Sequence, residues 1–168
     1  DICSFWKHEL GLSTVAVLYL QDPYGRTYEE VARAECQSLG LAFFSSGFSD
    51  ADSIWSAVTS LSNSNAKAVL AVTFPPSLDL IVTAALQTGL LSAGTSWVFP
   101  DSVTAAELDM VSDEGRAALN GSFIIKTVGA TDNNPQWTRF SNERWVELQP
   151  AQFNPHLPAD WQIRDDFF

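Results

Sequence analysis

The chain is short of basic residues, and this shortage excludes a class of partners. Nine lysines and arginines stand against twenty aspartates and glutamates, which gives a net charge of −11 at pH 7. Nucleic acids and anionic membrane surfaces are therefore poor partners, because both are bound through a basic surface. Long apolar runs are missing as well: the stretches 68–73 and 78–86 are far shorter than the roughly 20 residues that cross a bilayer.

The sequence also lacks the motifs that carry most enzyme chemistry. His8 and His156 are the two histidines, and neither accompanies a nucleophile in a recognisable arrangement. The sequence contains no nucleophile elbow, phosphate-binding loop or dinucleotide-binding fingerprint, and no cysteines or histidines at metal-ligand spacing. We therefore expect a binding protein rather than an enzyme, with no cofactor and no metal.

Three features bear on the compartment in which the chain works. The first ten residues have neither the basic start nor the long apolar centre of a signal peptide, so we interpret the chain as a processed product or a fragment. Cys3 and Cys36 fit either one disulfide or two small buried side chains, and their spacing alone does not decide. Asn120-Gly121-Ser122 is an N-glycosylation acceptor in a secretory pathway and equally a turn signal before a strand.

Hydrophobic patterning predicts strands that alternate with helices. The strands are predicted over 14–20, 41–45, 68–73, 96–99 and 122–128. The helices are predicted over 28–39, after the cap residues 49–52, and over 78–88, 105–119 and 137–148. This alternation is typical of right-handed βαβ units, so we predict an α/β fold: a three-layer α/β/α sandwich with a mainly parallel sheet.

Distinctive side chains follow three of the predicted strands. Tyr24 comes after the first strand, Thr73 and Phe74 come after the third, and Asp101 comes after the fourth. Ligands of open α/β sheets bind at the carboxyl ends of the strands. An aromatic ring, a hydroxyl and a carboxylate that converge there would suit a small zwitterion. In the alternative, Tyr24 only packs a turn and Asp101 caps the next helix.

The chain resembles the second lobe of the type I periplasmic-binding-protein fold. The resemblance rests on the segments VAVLYLQDPYGRTYEEVARAECQSLGLAF, FSDADSIWSAVTSLSNSNAKAVLAVTF and WVFPD, and it spans roughly residues 6–145. Its most specific parts are a strand followed by D-x-Y-G and the residue spacing from Phe48 to Val69. This bilobed Venus-flytrap region is shared by bacterial amino-acid-binding proteins and by eukaryotic receptor ectodomains. The resemblance implies an α/β ligand-binding lobe over 1–130, and over 131–168 a crossover back toward the first lobe with an aromatic, proline-rich tail.

The resemblance also implies roles for individual residues. Tyr24 matches a tyrosine that packs against the ligand in amino-acid-binding members, and Asp101 matches a position that often holds an acidic residue for the ligand's ammonium group. Thr73 and Phe74 fall where the third strand of the lobe lines the cleft. Asn120 is then a candidate surface glycan site. The residues that hold the ligand's carboxylate belong to the first lobe, which has no counterpart in these 168 residues.

Two functions of different classes follow from the resemblance. The first is a ligand-sensing lobe that binds an amino acid or a similar small zwitterion by hinge closure, in an extracellular or periplasmic space, including the ectodomain of a signalling membrane receptor. The second is a ligand-free structural or assembly module within a larger complex. We expect a sensor to hold Asp101 toward an open cleft and an assembly module to bury or cap it.

The C-terminal region is rich in aromatic residues, which indicates a contact surface. We expect it to pack on the first lobe or on another protein chain. Its aromatic residues are Trp137, Phe140, Trp145, Phe153, Trp161, Phe167 and Phe168.

Overall fold

The computed structural model describes residues 2–125 of the chain. These residues contain five β-strands, which alternate with helices along the chain. The strands are β1 (Thr14–Leu20), β2 (Ala42–Phe48), β3 (Ala68–Val72), β4 (Ser96–Phe99) and β5 (Phe123–Ile124). The predicted bounds of the first and fourth strands are confirmed to the residue, because both runs are almost wholly apolar and both are buried.

Three long helices connect the first four strands, and shorter helices lie before β1 and after β4. The long helices are α2 (Pro23–Ser38), α3 (Ala51–Ser62) and α4 (Pro75–Thr88). The short ones are α1 (Ile2–Ser4), which continues into a wide helical turn over Phe5–Glu9, and α5 (Ala105–Leu108) and α6 (Asp113–Ala118). Over residues 2–125, no helix is both long enough and apolar enough to cross a bilayer.

The five strands form one sheet in the order β2-β1-β3-β4-β5, and every neighbouring pair is parallel. Val15 of β1 lies opposite Phe43 of β2 on one side and Ala68 of β3 on the other. Because the strands are parallel, all their carboxyl ends reach the same edge of the sheet. This edge carries the segments in which the candidate side chains lie.

Helices cover both faces of the sheet, which confirms the predicted α/β sandwich. On one face, α3, α4 and α6 pack over alternate strand residues such as Leu18, Val69 and Trp97. On the other face, α1 and α2 pack over the intervening residues, including Val17 and Leu70. The central strands β1, β3 and β4 therefore bury both of their faces, and this explains why their sequences are apolar without alternation.

Two helices begin earlier than the pattern predicts. The prediction placed the start of α2 at Tyr28, but the helix begins at Pro23, where proline occupies the first turn and Asp22 caps it. The prediction placed the start of α4 at Leu78, but Pro75 and Pro76 are its first two residues. In both places the helix was predicted to begin after proline. The first turn of a helix tolerates proline, because the N–H that proline lacks has no helical acceptor there.

The segment between β4 and β5 also differs from the prediction. A single helix over 105–119 was predicted, whereas the structure has the two short helices α5 and α6 with 109–112 between them. The second strand is longer than predicted, since it runs to Phe48 rather than Ser45. The helix predicted over 137–148, the domain boundary at 130 and the aromatic tail lie outside the described residues.

The amino-terminal helix is joined covalently to α2. Cys3 and Cys36 form a disulfide bond, their Cα atoms are 5.1 Å apart, and both residues are fully buried. Trp6 is buried beside them in the same cluster. The structure thus adopts the disulfide and not the alternative of two separate thiols, and it fixes the start of the chain to one face of the sheet.

Candidate functional site

The candidate site lies at the carboxyl edge of the sheet, where β1, β3 and β4 end side by side. The chain leaves β1 for α2 on one face of the sheet and leaves β3 for α4 on the other face. Such a point, at which successive connections diverge, opens a crevice between the loops and is the usual ligand site of an open α/β sheet. Tyr24 follows β1 and Phe74 follows β3, so the two residues border this crevice.

Tyr24 is held by the first turn of α2. The Asp22 side chain accepts a hydrogen bond from the Gly25 N–H at 2.7 Å, which caps the helix. Gly25 is buried and lies against the end of β1: a Cβ atom at this position would be only 2.0 Å from the carbonyl oxygen of Leu20. The D-x-Y-G sequence is therefore required locally, because aspartate caps the helix and glycine lets it start against the strand.

Three aromatic rings meet at the site. The ring centroid of Tyr24 lies 4.9 Å from that of Tyr28 and 5.5 Å from that of Phe74. Both distances are in the range in which tilted aromatic pairs attract each other. Phe74 is 38% exposed and Tyr24 is half-buried, so the cluster presents aromatic surface to the crevice.

The Tyr24 hydroxyl points to the predicted carboxylate. It donates a hydrogen bond to Oδ1 of Asp101 at 3.1 Å, and Asp101 is exposed. The cap of the next helix, α5, is Thr104, whose N–H donates to the Glu107 carboxylate at 2.7 Å. Burial, with the neighbouring Tyr28 and Asp101 as smaller causes, raises the pKa of the Tyr24 phenol above its ordinary value of 10.0. Tyr24 is thus a neutral donor to Asp101 at physiological pH.

Thr73 was expected to line the cleft, but the structure places it beneath the site. Its side chain is 1% exposed and its hydroxyl donates to the Phe74 carbonyl at 3.3 Å. The Thr73 carbonyl in turn accepts a hydrogen bond from the Ser102 hydroxyl at 2.7 Å. Thr73 and Ser102 therefore tie the loop after β3 to the loop after β4, and so fix Phe74 relative to Asp101.

Sequence reasoning missed Tyr28 and Ser102. Tyr28 follows Tyr24 by four residues, a spacing that places two side chains on the same face of a helix. That signal was hidden because the helix was predicted to begin only at Tyr28. Ser102 has no comparable signal, since its role depends on how two loops meet.

The two histidines are the other candidates for chemistry. His8 is exposed on the wide turn after α1, and His156 lies outside the described residues. Among residues 2–125, no group of three or more histidines, cysteines, aspartates or glutamates is placed to hold a metal ion.

Comparison with solved structures identifies the fold. The chain is similar to an extracellular ligand-binding receptor from Verminephrobacter eiseniae, with a TM-score of 0.63 and 18% identity over 85% of this chain and 41% of that protein. It is similar to the leucine-binding protein LivK from Thermotoga maritima, with a TM-score of 0.58 and 23% identity over 68% of this chain and 32% of that protein. It is also similar to a fatty acid ABC transporter substrate-binding protein from Thermomonospora curvata, with a TM-score of 0.56 and 17% identity over 71% of this chain and 31% of that protein.

These neighbours show the fold and the extent of the match. The chain has the fold of one lobe of a type I periplasmic-binding-protein-like region, as its resemblance to that family predicted. It spans between about a third and two-fifths of the proteins it matches, which is consistent with a match to one of their lobes. The neighbours are binding proteins and receptors rather than enzymes. No protein-family model matches the chain, and no curated protein sequence matches it.

Proposed function

We propose that this chain is the second lobe of a bilobed protein that binds an amino acid or a similar small zwitterion by hinge closure, in an extracellular or periplasmic space. One observation carries the proposal: Tyr24, Phe74 and Asp101 converge at the switch point of the sheet, although they follow three different strands. The Tyr24 hydroxyl lies 3.1 Å from the Asp101 carboxylate, and the rings of Tyr24 and Phe74 lie 5.5 Å apart. Binding of such a ligand requires only this surface and its counterpart on the first lobe, and no catalytic group is needed.

The chemistry of the site suits a ligand with a positively charged group. An ammonium attracts both a carboxylate and the face of an aromatic ring, and the site presents exposed examples of each. The exposure of Asp101 supports a sensor, since a sensor is expected to hold this carboxylate toward an open cleft and an assembly module to bury or cap it. The ligand's carboxylate would be held by the first lobe.

Closure follows from differential affinity. A ligand that touches both lobes binds the closed state more tightly and shifts the population toward it. A shift from mostly open to mostly closed requires about 5.5 kcal/mol of differential binding. Asp101 and the aromatic cluster would supply part of this energy and the first lobe the rest.

One observation favours the alternative of a ligand-free assembly module. Tyr24 already donates to Asp101, and the Thr73 hydroxyl is buried. A ligand must therefore compete with Tyr24 for the carboxylate, or bind Asp101 together with it. A module without a ligand would keep this hydrogen bond permanently as a tie between two loops.

A thermal-shift screen decides between the two. Amino acids and related zwitterions are added to a protein that contains both lobes, beside its Tyr24→Ala and Asp101→Ala variants. A sensor gives a rise in melting temperature that both variants abolish, because ligand that binds only the folded state stabilises it. Trp55→Ala and Glu30→Ala serve as matched controls, since they remove an exposed ring and an exposed carboxylate from α3 and α2. A flat response over the panel would instead support the assembly module.

A further inference from the structure

The tripeptide Asn120-Gly121-Ser122 takes no part in the candidate site. It is the only stretch of the full sequence in which asparagine is followed, after one residue other than proline, by serine or threonine. Gly121 has a φ of +90°, so the tripeptide also forms a turn between α6 and β5. The turn and the acceptor motif are therefore compatible, and the turn determines how the asparagine is presented.

The turn holds its backbone firmly and leaves the Asn120 side chain outside. Leu119 is 6% exposed and anchors the turn in the core, whereas Asn120 is exposed. The Ser122 N–H donates to the Leu119 carbonyl at 2.9 Å, which closes the turn. No side-chain hydrogen bond engages the Asn120 carboxamide or the Ser122 hydroxyl within residues 2–125. Within this part of the chain Asn120 is exposed and Ser122 is half-buried, so a glycosylating enzyme can reach both side chains.

The register of the sheet places this turn away from the candidate site. Phe123 pairs with Val98 and Ile124 pairs with Phe99, so β5 runs in the same direction as β4. The chain before Phe123 therefore leads back toward the amino-terminal end of β4, whereas Asp101 follows its carboxyl end. A large group on Asn120 would leave the carboxyl edge of the sheet open for a ligand and for closure against a first lobe.

We propose that Asn120 carries an N-linked glycan. The carboxamide nitrogen of Asn120 would attack the first sugar carbon of an oligosaccharide carried on a lipid diphosphate. The new bond joins that carbon to Nδ2, the bond from the carbon to the diphosphate breaks, and the lipid diphosphate leaves as the amide nitrogen loses a proton. The reaction belongs to a secretory lumen, where the Cys3–Cys36 disulfide would also form. The inference adds to the proposed extracellular setting, but it is independent of ligand binding.

Secretion of the full 168-residue chain from eukaryotic cells tests the proposal. The secreted protein is treated with a peptide-N-glycosidase, an amidase that hydrolyses the bond between the asparagine side chain and an N-linked glycan, and its electrophoretic mobility and peptide masses are measured. We expect treatment to lower the apparent mass of the wild-type chain and to convert Asn120 into aspartate. A wild-type chain that is secreted with unmodified Asn120 would overturn the proposal.

Three variants separate the glycan from effects on folding. Ser122→Ala keeps Asn120 but destroys the acceptor motif and should abolish the shift, whereas Ser122→Thr should retain it. Asn63→Gln, which replaces an exposed asparagine outside any acceptor motif, should leave the shift unchanged. A shift that persists in Ser122→Ala would contradict attachment at Asn120. Loss of the glycan would not alter the thermal-shift response, so the two proposals fail separately.

Discussion

The hydroxyl of Tyr24 lies 3.1 Å from Oδ1 of Asp101, and 77 positions of sequence separate the two residues. The hydrogen bond joins the loop after β1 to the loop after β4. It passes over the end of β3, whose own loop contributes Phe74 to the same cluster. One donor thus connects segments from three strands, and removing it tests how strongly they are coupled.

Replacing Tyr24 by phenylalanine should lower the free energy of unfolding by about 1 kcal/mol, because the ring contacts remain and only an exposed hydrogen bond to a carboxylate is lost. Tyr24→Ala should cost about 2–3 kcal/mol, since it also removes the contacts with Tyr28 and Phe74. Urea denaturation measures both. A double-mutant cycle of Tyr24→Phe with Asp101→Ala isolates the pair, and strictly additive losses would argue against any coupling.

Alkaline pH should destabilise the fold through Tyr24. Burial raises the pKa of this phenol above 10.0 in the folded state, so the unfolded chain loses its proton first as the pH rises. The stabilisation is fully present below pH 10 and is lost as the pH climbs toward the folded pKa. The urea midpoint should therefore fall by more between about pH 8 and about pH 11 in the wild type than in Tyr24→Phe. Equal falls in the two proteins would show that Tyr24 contributes nothing to this pH dependence.

Gly25 should tolerate no side chain. Gly25→Ala would place Cβ 2.0 Å from the Leu20 carbonyl oxygen, a backbone atom, so β1 and α2 must separate. We expect a loss of about 3 kcal/mol, at the upper end for an overpacked core. Gly89 is the matched control: it lies in the left-handed region at a φ of +74° with open space around it, and Gly89→Ala should cost only about 1 kcal/mol. Comparable losses at both positions would contradict the close approach at Gly25.

Opening the Cys3–Cys36 disulfide should lower the free energy of unfolding by about 4 kcal/mol, because the bond closes a loop between residues 33 positions apart. Cys3→Ala, Cys36→Ala and the double variant should be equally destabilised, since each removes the same bond. Reductant should bring the wild type close to them in a thermal melt. A reductant-insensitive wild type would show that the bond adds no stability.

The bounds of β1 and β4 were predictable, whereas the starts of α2 and α4 were not. Thr14–Leu20 is unbroken by a polar residue after its first position, and a sheet covered on both faces requires such a run. Both helices were predicted to begin after Pro23 and Pro75, yet both prolines occupy first turns, where proline is tolerated although helix interiors exclude it. The distinction depends on the capping residue before the proline, and Asp22 was the available signal at α2.

The site was predictable in the same uneven way. Tyr24 and Asp101 could be brought together from sequence, because the carboxyl ends of parallel strands share an edge. The burial of Thr73 could not be predicted. Thr73 is the first residue after β3, and the exposure of its side chain depends on how the loop that contains Phe74 folds. The place of Tyr28 beside Tyr24 could have been predicted from the true helix start at Pro23. The error in the predicted helix start therefore concealed this residue of the cluster.

The disulfide also determines how the lobe would bear mechanical load. Tension applied to the chain ahead of Cys3 would pass directly between the two sulfur atoms into α2, because that path is far shorter than the loop it closes. Residues 4–35, which include β1 and the turn that holds Tyr24, would lie outside this covalent path. The covalent path of the load therefore bypasses β1 and reaches α2 near its carboxyl end, at Cys36, rather than at the turn that holds Tyr24.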